Sequence, residues 1–185
     1  YIEAPRVVAT GSNNFVYVNN VNMKLTTDAC IGNNGGGFIY VSNSTVTATN
    51  LVQGMIAGYN GSKEYEITYC NLISTTPANL FAQSFLGNSA SYNTHVGNSR
   101  IINMYLAATK SSFNASAGAN PSVYVTEGCY YTLPYDAALA NANKLYLANA
   151  RTSADAFEGN VLCGETVEIN GVTYTLTYKV VADSD

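Results

Sequence analysis

Residues 38–50, with the sequence FIYVSNSTVTATN, contain two stretches in which apolar and polar residues alternate on either side of a Ser-Asn pair. Alternation with a period of two predicts half-buried β-strands, and a Ser-Asn pair is typical of a turn. Nearly the same pattern occurs 23 residues earlier, in FVYVNNVNMKLTT at residues 15–27. A strand-turn-strand unit that recurs in this way is typical of folds built from stacked repeats.

Five segments along the chain share the pattern, and each has an aliphatic residue at the same aligned position. The segments are FVYVNN (15–20), FIYVSN (38–43), EYEITY (64–69), NTHVGN (93–98) and SVYVTE (122–127). The aligned residues, separated by 23, 26, 29 and 29 positions, are Val18, Val41, Ile67, Val96 and Val125. A second short strand is predicted five positions after each of them, at Met23, Val46, Leu72, Ile101 and Tyr130.

A third group of small and apolar residues ends at Gly32, Gly58 and Gly87, with spacings of 26 and 29 residues. Three short strands in every 23 to 29 residues, with Gly and Asn at the corners, predict a chain that coils into a parallel β-solenoid. Each coil, called a rung, buries its inward residues only by stacking on other rungs, which lie about 4.8 Å apart.

The corner residues are predicted to form a column of their own. Asn20, Asn43 and Asn98 occupy equivalent positions, and Tyr69 replaces Asn in the third rung. Stacked Asn amides can hydrogen-bond to one another along such a column.

The rung length, the Asn and Gly corners and the stacked aliphatic residues of segment 15–130 resemble the right-handed parallel β-helix (pectin-lyase-like) superfamily. The resemblance implies an all-β fold, a right-handed parallel β-helix of about five rungs. Members of this superfamily include polysaccharide lyases and hydrolases, viral tailspikes and surface adhesins. The acidic calcium clusters and paired Asp carboxylates of its enzymes have no counterpart in this chain, so no catalytic residue is transferred.

Three regions are predicted on this basis: an N-terminal cap or lead-in (1–14), the rungs (15–130) and a C-terminal cap (131–185). Within the cap, residues 134–157 fit either a helix that begins at Asp136 or a further rung through Leu145 and Leu147.

The sequence TVEINGVTYTLTYKVV, residues 166–181, predicts a β-hairpin with a type I′ turn at Asn170-Gly171. Val167, Ile169, Val172, Tyr174 and Leu176 would alternate on one face of this hairpin. Such a hairpin would cover the sheet edge that the end of a solenoid exposes.

The composition restricts the possible partners. Hydrophobic residues make up 47% of the 185 residues and the net charge is −4, values typical of one folded domain. The eight Lys and Arg residues are scattered, so nucleic acid is not an expected partner. No apolar stretch reaches the roughly 18 residues of a membrane-spanning helix, and no membrane insertion is expected. Few charges and many Asn, Ser, Thr and Tyr residues favour an extracellular or cell-surface location.

The four cysteines are widely separated, and His95 is the only histidine. This set lacks the spacing of a structural zinc site, so neither a metal nor another cofactor is expected. Cys30 and Cys70 occupy different rung positions, whereas Cys129 and Cys163 both lie near the C-terminal cap. We therefore predict a disulfide between Cys129 and Cys163, which would tie the cap to the last rung.

One outward-facing group of residues carries the candidate chemistry. If the aligned aliphatic residues point inward, the preceding residues point outward, because side chains alternate along a strand. We call this group the outward column: Tyr17, Tyr40, Glu66, His95 and Tyr124. Phe15, Phe38 and Glu64 flank it. Aromatic side chains can stack on sugar rings, so the column is a candidate glycan-binding site.

Three functions remain open at this point. The first is a non-catalytic module of a larger surface or secreted protein, which serves adhesion, glycan binding or architecture. The second is a polysaccharide lyase or glycoside hydrolase fragment, in which Glu66 and His95 transfer protons. The third is a structural subunit that assembles with other copies of itself. We expect Tyr17 and Tyr40 to be exposed and Tyr124 to be covered by the C-terminal segment.

Overall fold

The computed structural model describes eleven stretches of the chain, and in these the regular secondary structure is entirely β. The stretches are 1–10, 14–26, 31–34, 37–51, 54–58, 64–80, 93–106, 122–126, 128–133, 145–147 and 160–181. They contain seventeen strands and no helix. The strands form three sheets, which confirms the predicted all-β class with parallel sheets.

The first sheet has eight strands. In spatial order they are β1 (Ile2–Ala4), β4 (Asn22–Leu25), β7 (Thr45–Ala48), β10 (Asn71–Asn79), β12 (Arg100–Tyr105), β14 (Tyr130–Tyr131), β17 (Val172–Val180) and β16 (Asn160–Ile169). The first six strands are parallel to one another. β17 is antiparallel to both β14 and β16.

The second and third sheets are parallel throughout. In spatial order, the second sheet contains β15 (Leu145–Leu147), β13 (Ser122–Val125), β11 (Asn93–Gly97), β9 (Glu64–Thr68), β6 (Phe38–Ser42) and β3 (Phe15–Asn19). The third contains β2 (Val7–Thr10), β5 (Ile31–Asn34) and β8 (Ile56–Gly58). From β1 to β10, consecutive strands enter the first, third and second sheets in rotation.

The register of the second sheet agrees with the sequence alignment. Val18, Val41, Ile67, Val96 and Val125 lie opposite one another on successive strands. The last four are buried in the main hydrophobic core, and Val18, on the edge strand β3, is partly buried against it. The core also receives side chains from the other two sheets, among them Leu25, Val46, Leu72, Ile31 and Ile56.

The predicted second strand is one residue out of register at its last position. Met23, Val46, Leu72 and Ile101 are in register, but the residue opposite Ile101 is Tyr131, not Tyr130. The shift occurs after Gly128, which has a φ of 76°. A Cβ atom on Gly128 would overlap Asn98 Oδ1, so both the backbone and the space require glycine. Tyr131, rather than Tyr130, is therefore fully buried.

Four corner residues connect the second sheet to the first through left-handed backbone conformations. Asn20, Asn43, Tyr69 and Asn98 have φ values of 56°, 48°, 55° and 47°. Asn adopts this conformation more readily than most residues, whereas for a bulky residue such as Tyr69 it is uncommon. The amide of Asn43 donates to Thr68 O at 3.2 Å, and its side chain donates to Asn19 Oδ1 at 3.0 Å. The side chain of Asn43 was predicted to hydrogen-bond to the other corner Asn residues, but it bonds to Asn19 on strand β3 instead.

Small polar side chains complete the inner side of two of these corners. The Ser44 hydroxyl donates to Ser42 O at 2.6 Å and accepts from Val21 N at 3.1 Å. Ser99 makes the equivalent pair of bonds, to Gly97 O at 2.8 Å and from Cys70 N at 3.0 Å. These buried hydroxyls hydrogen-bond to backbone N–H and C=O groups at the corners, where buried backbone groups need hydrogen-bond partners.

The predicted disulfide between Cys129 and Cys163 is wrong, since both residues are free thiols, as is Cys70. Cys129 lies in the main core, where its thiol donates to Val96 O at 3.2 Å. Cys163 lies in a separate hydrophobic cluster and donates to Leu176 O at 3.1 Å. Both cysteines lie near the C-terminal cap in the sequence, but this did not bring their thiols together in the fold. Cys30 lies outside the described residues.

The predicted hairpin is confirmed as β16 and β17. Asn170 and Gly171 have φ values of 52° and 78°, and a type I′ turn requires positive φ at both central residues. Ile169 and Leu176 pack on Ile73 and Ile102 in a second hydrophobic cluster, whereas Val172 remains 50% exposed. At the tip, Asn22 Nδ2 donates to Asn170 Oδ1 at 2.9 Å. The hairpin therefore extends from its pairing with β14 back to β4.

The alternative of a further strand within 134–157 agrees with the structure at Leu145–Leu147. This strand pairs in parallel with β13, and Leu145 and Leu147 lie opposite Val123 and Val125. Asp136, the proposed helix start, lies outside the described residues.

We predict that Val41→Asp lowers the free energy of unfolding by about 4 kcal/mol, because it places an unpaired carboxylate in the core. Val41 is 1% exposed and sits between Val18 and Ile67. Urea unfolding followed by circular dichroism measures the change. Asn19→Asp, at an exposed position of the neighbouring strand, is the control. Equal stability of the two variants would contradict the observed register.

We also predict that Cys129 resists alkylation until the chain unfolds. Burial raises the pKa of its thiol from 9.0 to about 12, so the nucleophilic thiolate is scarce. Peptide mass spectrometry after iodoacetamide treatment should find Cys163, which is partly exposed, modified first. Since the unfolded thiol ionises near pH 9 and the folded one near 12, stability should fall as the pH rises above about 9. Modification of Cys129 as fast as Cys163 would contradict this burial.

Candidate functional site

The outward column occupies a continuous row on the second sheet. Tyr17, Tyr40, Glu66, His95 and Tyr124 lie opposite one another on β3, β6, β9, β11 and β13. The predicted alignment of these five residues is thus the observed strand register. Tyr146 on β15 lies opposite Tyr124 and extends the row. The sequence did not predict this, because residues 134–157 fitted either a helix or a strand. The side chain of Tyr124 lies outside the described part of the structure.

Four aromatic rings form two parallel stacks at one end of this row. Phe15 stacks on Phe38 with a centroid separation of 4.7 Å, and Tyr17 stacks on Tyr40 at 5.0 Å. The interplanar angles are 7° and 9°. These separations match the distance between adjacent strands, so the stacks follow from the parallel register itself.

The stacking determines which parts of the rings are available. The rings of Phe15 and Tyr17, neighbours on the edge strand, are nearly parallel, with an interplanar angle of 9° and centroids 6.0 Å apart. They are 54% and 71% exposed, and each has one ring face that no described aromatic ring covers. Tyr40 is half-buried. The predicted exposure is therefore found for Tyr17, while Tyr40 is only partly accessible.

Glu66 and His95 form a hydrogen-bonded pair in the middle of the row. His95 Nδ1 lies 2.8 Å from Glu66 Oε1, and His95 Nε2 lies 3.1 Å from Thr126 Oγ1. The Thr126 hydroxyl can also donate to Val96 O at 3.4 Å, so either protonation state of the imidazole finds partners for both nitrogens. Gly97 leaves room for this arrangement, since a Cβ there would lie 3.3 Å from the His95 ring and 3.1 Å from Thr126 Oγ1.

Glu64 connects the aromatic stacks to the acidic part of the row. Tyr40 Oη lies 3.5 Å from Glu64 Oε1, and Glu64 is opposite Phe38 on the next strand. Partial burial, and after it the negative charge of Glu64, raise the pKa of Tyr40 above its ordinary value of 10.0. The Tyr40 hydroxyl therefore remains a hydrogen-bond donor well into the alkaline range.

The row combines hydroxyl, carboxylate and imidazole groups on a rigid sheet. Sequence reasoning identified the Glu66–His95 pair and the aromatic residues, but it missed Thr126 as the second partner of His95. Thr126 lies just past the end of β13. The sequence clue to this contact is Gly97, because a side chain at that position would crowd both the His95 ring and Thr126 Oγ1. Across the described stretches, no three His, Cys, Asp or Glu residues converge in a way that could hold a metal ion.

No protein-family model, curated protein or solved structure matches this chain. In the part of the chain that the structure covers, no helix has the length and hydrophobicity needed to cross a membrane.

We predict that Glu64→Gln lowers the pKa of Tyr40, because the substitution removes the negative charge that disfavours the tyrosinate. An NMR titration of tyrosine labelled with carbon-13 at Cζ measures this pKa, and Tyr40→Phe assigns the signal. Glu168→Gln, on the exposed hairpin, is the control and should leave the pKa unchanged. An unchanged Tyr40 pKa in Glu64→Gln would mean that Tyr40 does not sense Glu64.

Proposed function

We propose that this chain is a non-catalytic extracellular module that binds a neutral glycan along the outward column. The observation that carries the proposal is the alignment of tyrosine, glutamate and histidine side chains on adjacent strands, several of them held in place by hydrogen bonds. From Tyr17 to His95 the row spans three strand separations, roughly 14 Å. This length suits several sugar units rather than a single small ligand.

We further propose that the three sheets close into a right-handed parallel β-helix, with β16 and β17 as its C-terminal cap. The rotation of consecutive strands among three sheets supports this architecture. Parallel crossover connections are right-handed in nearly all proteins, which supports the handedness. The resemblance of segment 15–130 to pectin-lyase-like proteins points in the same direction. On such a scaffold the outward column would lie along one flat face.

The chemistry of the row favours a neutral glycan. Carboxylates such as Glu64 and Glu66 accept hydrogen bonds from sugar hydroxyls, and the Tyr17 and Tyr40 hydroxyls can both donate and accept. Aromatic rings beside them can contact the apolar faces of sugars. Acidic glycans would be repelled, since the two glutamates are partnered by a single histidine. The low charge of the chain suits a surface or secreted adhesin with this role.

Binding is favoured over catalysis because both nitrogens of His95 already have partners. A general acid or base needs a nitrogen or oxygen within hydrogen-bond reach of the substrate. His95 Nδ1 is held by Glu66 and Nε2 by Thr126, so proton transfer would first require one of these bonds to break. A polysaccharide lyase or hydrolase that uses Glu66 and His95 is thus the second candidate.

A glycan array, followed by calorimetry on the best ligand, tests the proposal. Tyr40→Phe and Glu66→Gln should each weaken binding by about 1 kcal/mol, roughly fivefold, because each removes hydrogen bonding to the sugar. Val172→Ala, an exposed apolar position on the hairpin, is the control and should bind like the unaltered protein.

A depolymerisation assay on the same glycans separates the two candidates. Cleavage that disappears in Glu66→Gln or His95→Ala would replace the binding module with an enzyme. Absence of binding to any glycan, with the fold intact by circular dichroism, would refute both.

A further inference from the structure

At one end of the described structure, a strand edge is left without a pairing strand. β3 is the last strand of the second sheet, and no described strand pairs with its outer side. β1 and β2 end the first and third sheets, and all three strands come from the first nineteen residues. An exposed edge presents unpaired N–H and C=O groups that can accept another strand.

β3 lacks the features that normally block strand addition. Its sequence, FVYVN, contains no charge and no proline, and its register with β6 is regular over all five residues. β1, in contrast, carries Glu3, which forms an ion pair with Lys24 at 3.6 Å. Charges, prolines and bulges are the usual protection of edge strands, and β3 has none of them. β2, with the sequence VVAT, is also uncharged, but it is shorter than β3.

The backbone groups on this edge belong to the two aromatic residues and to Asn19. Asn14 O accepts from Phe38 N at 2.8 Å, and Asn20 N donates to Ser42 O at 3.2 Å, so the even-numbered residues use their backbone groups toward β6. Because these groups alternate along a parallel strand, the N–H and C=O of Phe15 and Tyr17 point away from β6. An added strand would therefore bond to these two residues.

The same two residues end the aromatic stacks. Phe15 and Tyr17 each have one ring face that no described aromatic ring covers, their ring planes are nearly parallel, and each stack has the spacing of adjacent strands. A strand added at β3 would place its outward side chains at the next position of each stack. The strand that fits best carries aromatic residues at two alternate positions.

We propose that this strand is β3 of a second copy of the chain, paired antiparallel about a two-fold axis near Val16. In this register Phe15 lies opposite Tyr17 of the partner subunit, and the reverse pair follows by symmetry. Both aromatic pairs are then the hydrogen-bonded kind, in which each residue donates and accepts, and Val16 meets its own copy on the inner side. No like charges meet, because β3 has none.

The distribution of exposed apolar side chains agrees with this interface. Of the eight large apolar residues exposed in the described stretches, four are at this end, namely Tyr1, Ile2, Phe15 and Tyr17. Burying apolar area drives most protein association. The inference goes beyond glycan binding and does not rest on it, since it uses the strand edge rather than Glu66 and His95. Tyr17 belongs to both surfaces.

Sedimentation equilibrium over a range of concentrations tests the proposal. The unaltered chain should follow a monomer–dimer equilibrium. Phe15→Pro removes an outward N–H and a ring without affecting the bonds to β6, so it should weaken dimerisation at least tenfold. Leu162→Lys is the control, because Leu162 is 77% exposed on β16, the edge strand of the first sheet, and its replacement should leave the dimer intact.

Circular dichroism melts show whether the Phe15→Pro variant remains folded, and Phe15→Lys provides a second variant with an unaltered backbone. A monomer at every concentration of the unaltered chain would overturn the proposal. So would a dimer that both Phe15 variants leave unchanged, or a mass that grows beyond two copies, which would indicate head-to-tail stacking. Glycan binding measured on the monomeric variants shows whether the two proposals stand separately.

Discussion

The left-handed corner between the second and first sheets is the constraint on which the rest of the structure depends. Asn20, Asn43, Tyr69 and Asn98 each adopt a positive φ within a two-residue connection. A shift of one residue in a strand moves every side chain to the opposite face. Because these four connections have the same length, correct register in one sheet enforces it in the other. Tyr69 shows that the column retains the conformation even where the residue is unfavourable.

Much of the fold was predictable because the signals are local. Period-two alternation, corner Asn residues and the Asn170-Gly171 turn depend on neighbouring residues, and they gave the strand register and the hairpin. Tyr130 was assigned one position too early because Gly128 adds a residue to the last corner. The position of the hairpin was not predictable, since it depends on Ile73 and Ile102 from distant strands.

The site was predictable to the same degree. Side-chain alternation placed Tyr17, Tyr40, Glu66 and His95 in one row, and stacking of adjacent strands brought Glu66 and His95 together. The orientation of the rings was not evident, because it depends on packing between strands rather than on their spacing. The predicted Cys129–Cys163 disulfide was wrong for a similar reason. Cys129 is buried in the main core, whereas Cys163, on hairpin strand β16, packs against the second hydrophobic cluster.

The contact between Asn22 and Asn170 has a consequence for how the protein unfolds. In a stack of strands that touch only their neighbours, segments at one end can open while the other end remains ordered. The hairpin instead joins residues 148 positions apart and packs on β10 and β12 along the way. Loss of the first strands therefore also disturbs the last ones, which makes the transition more cooperative. Contacts of such long sequence separation also slow folding, since the chain must close a large loop before they form.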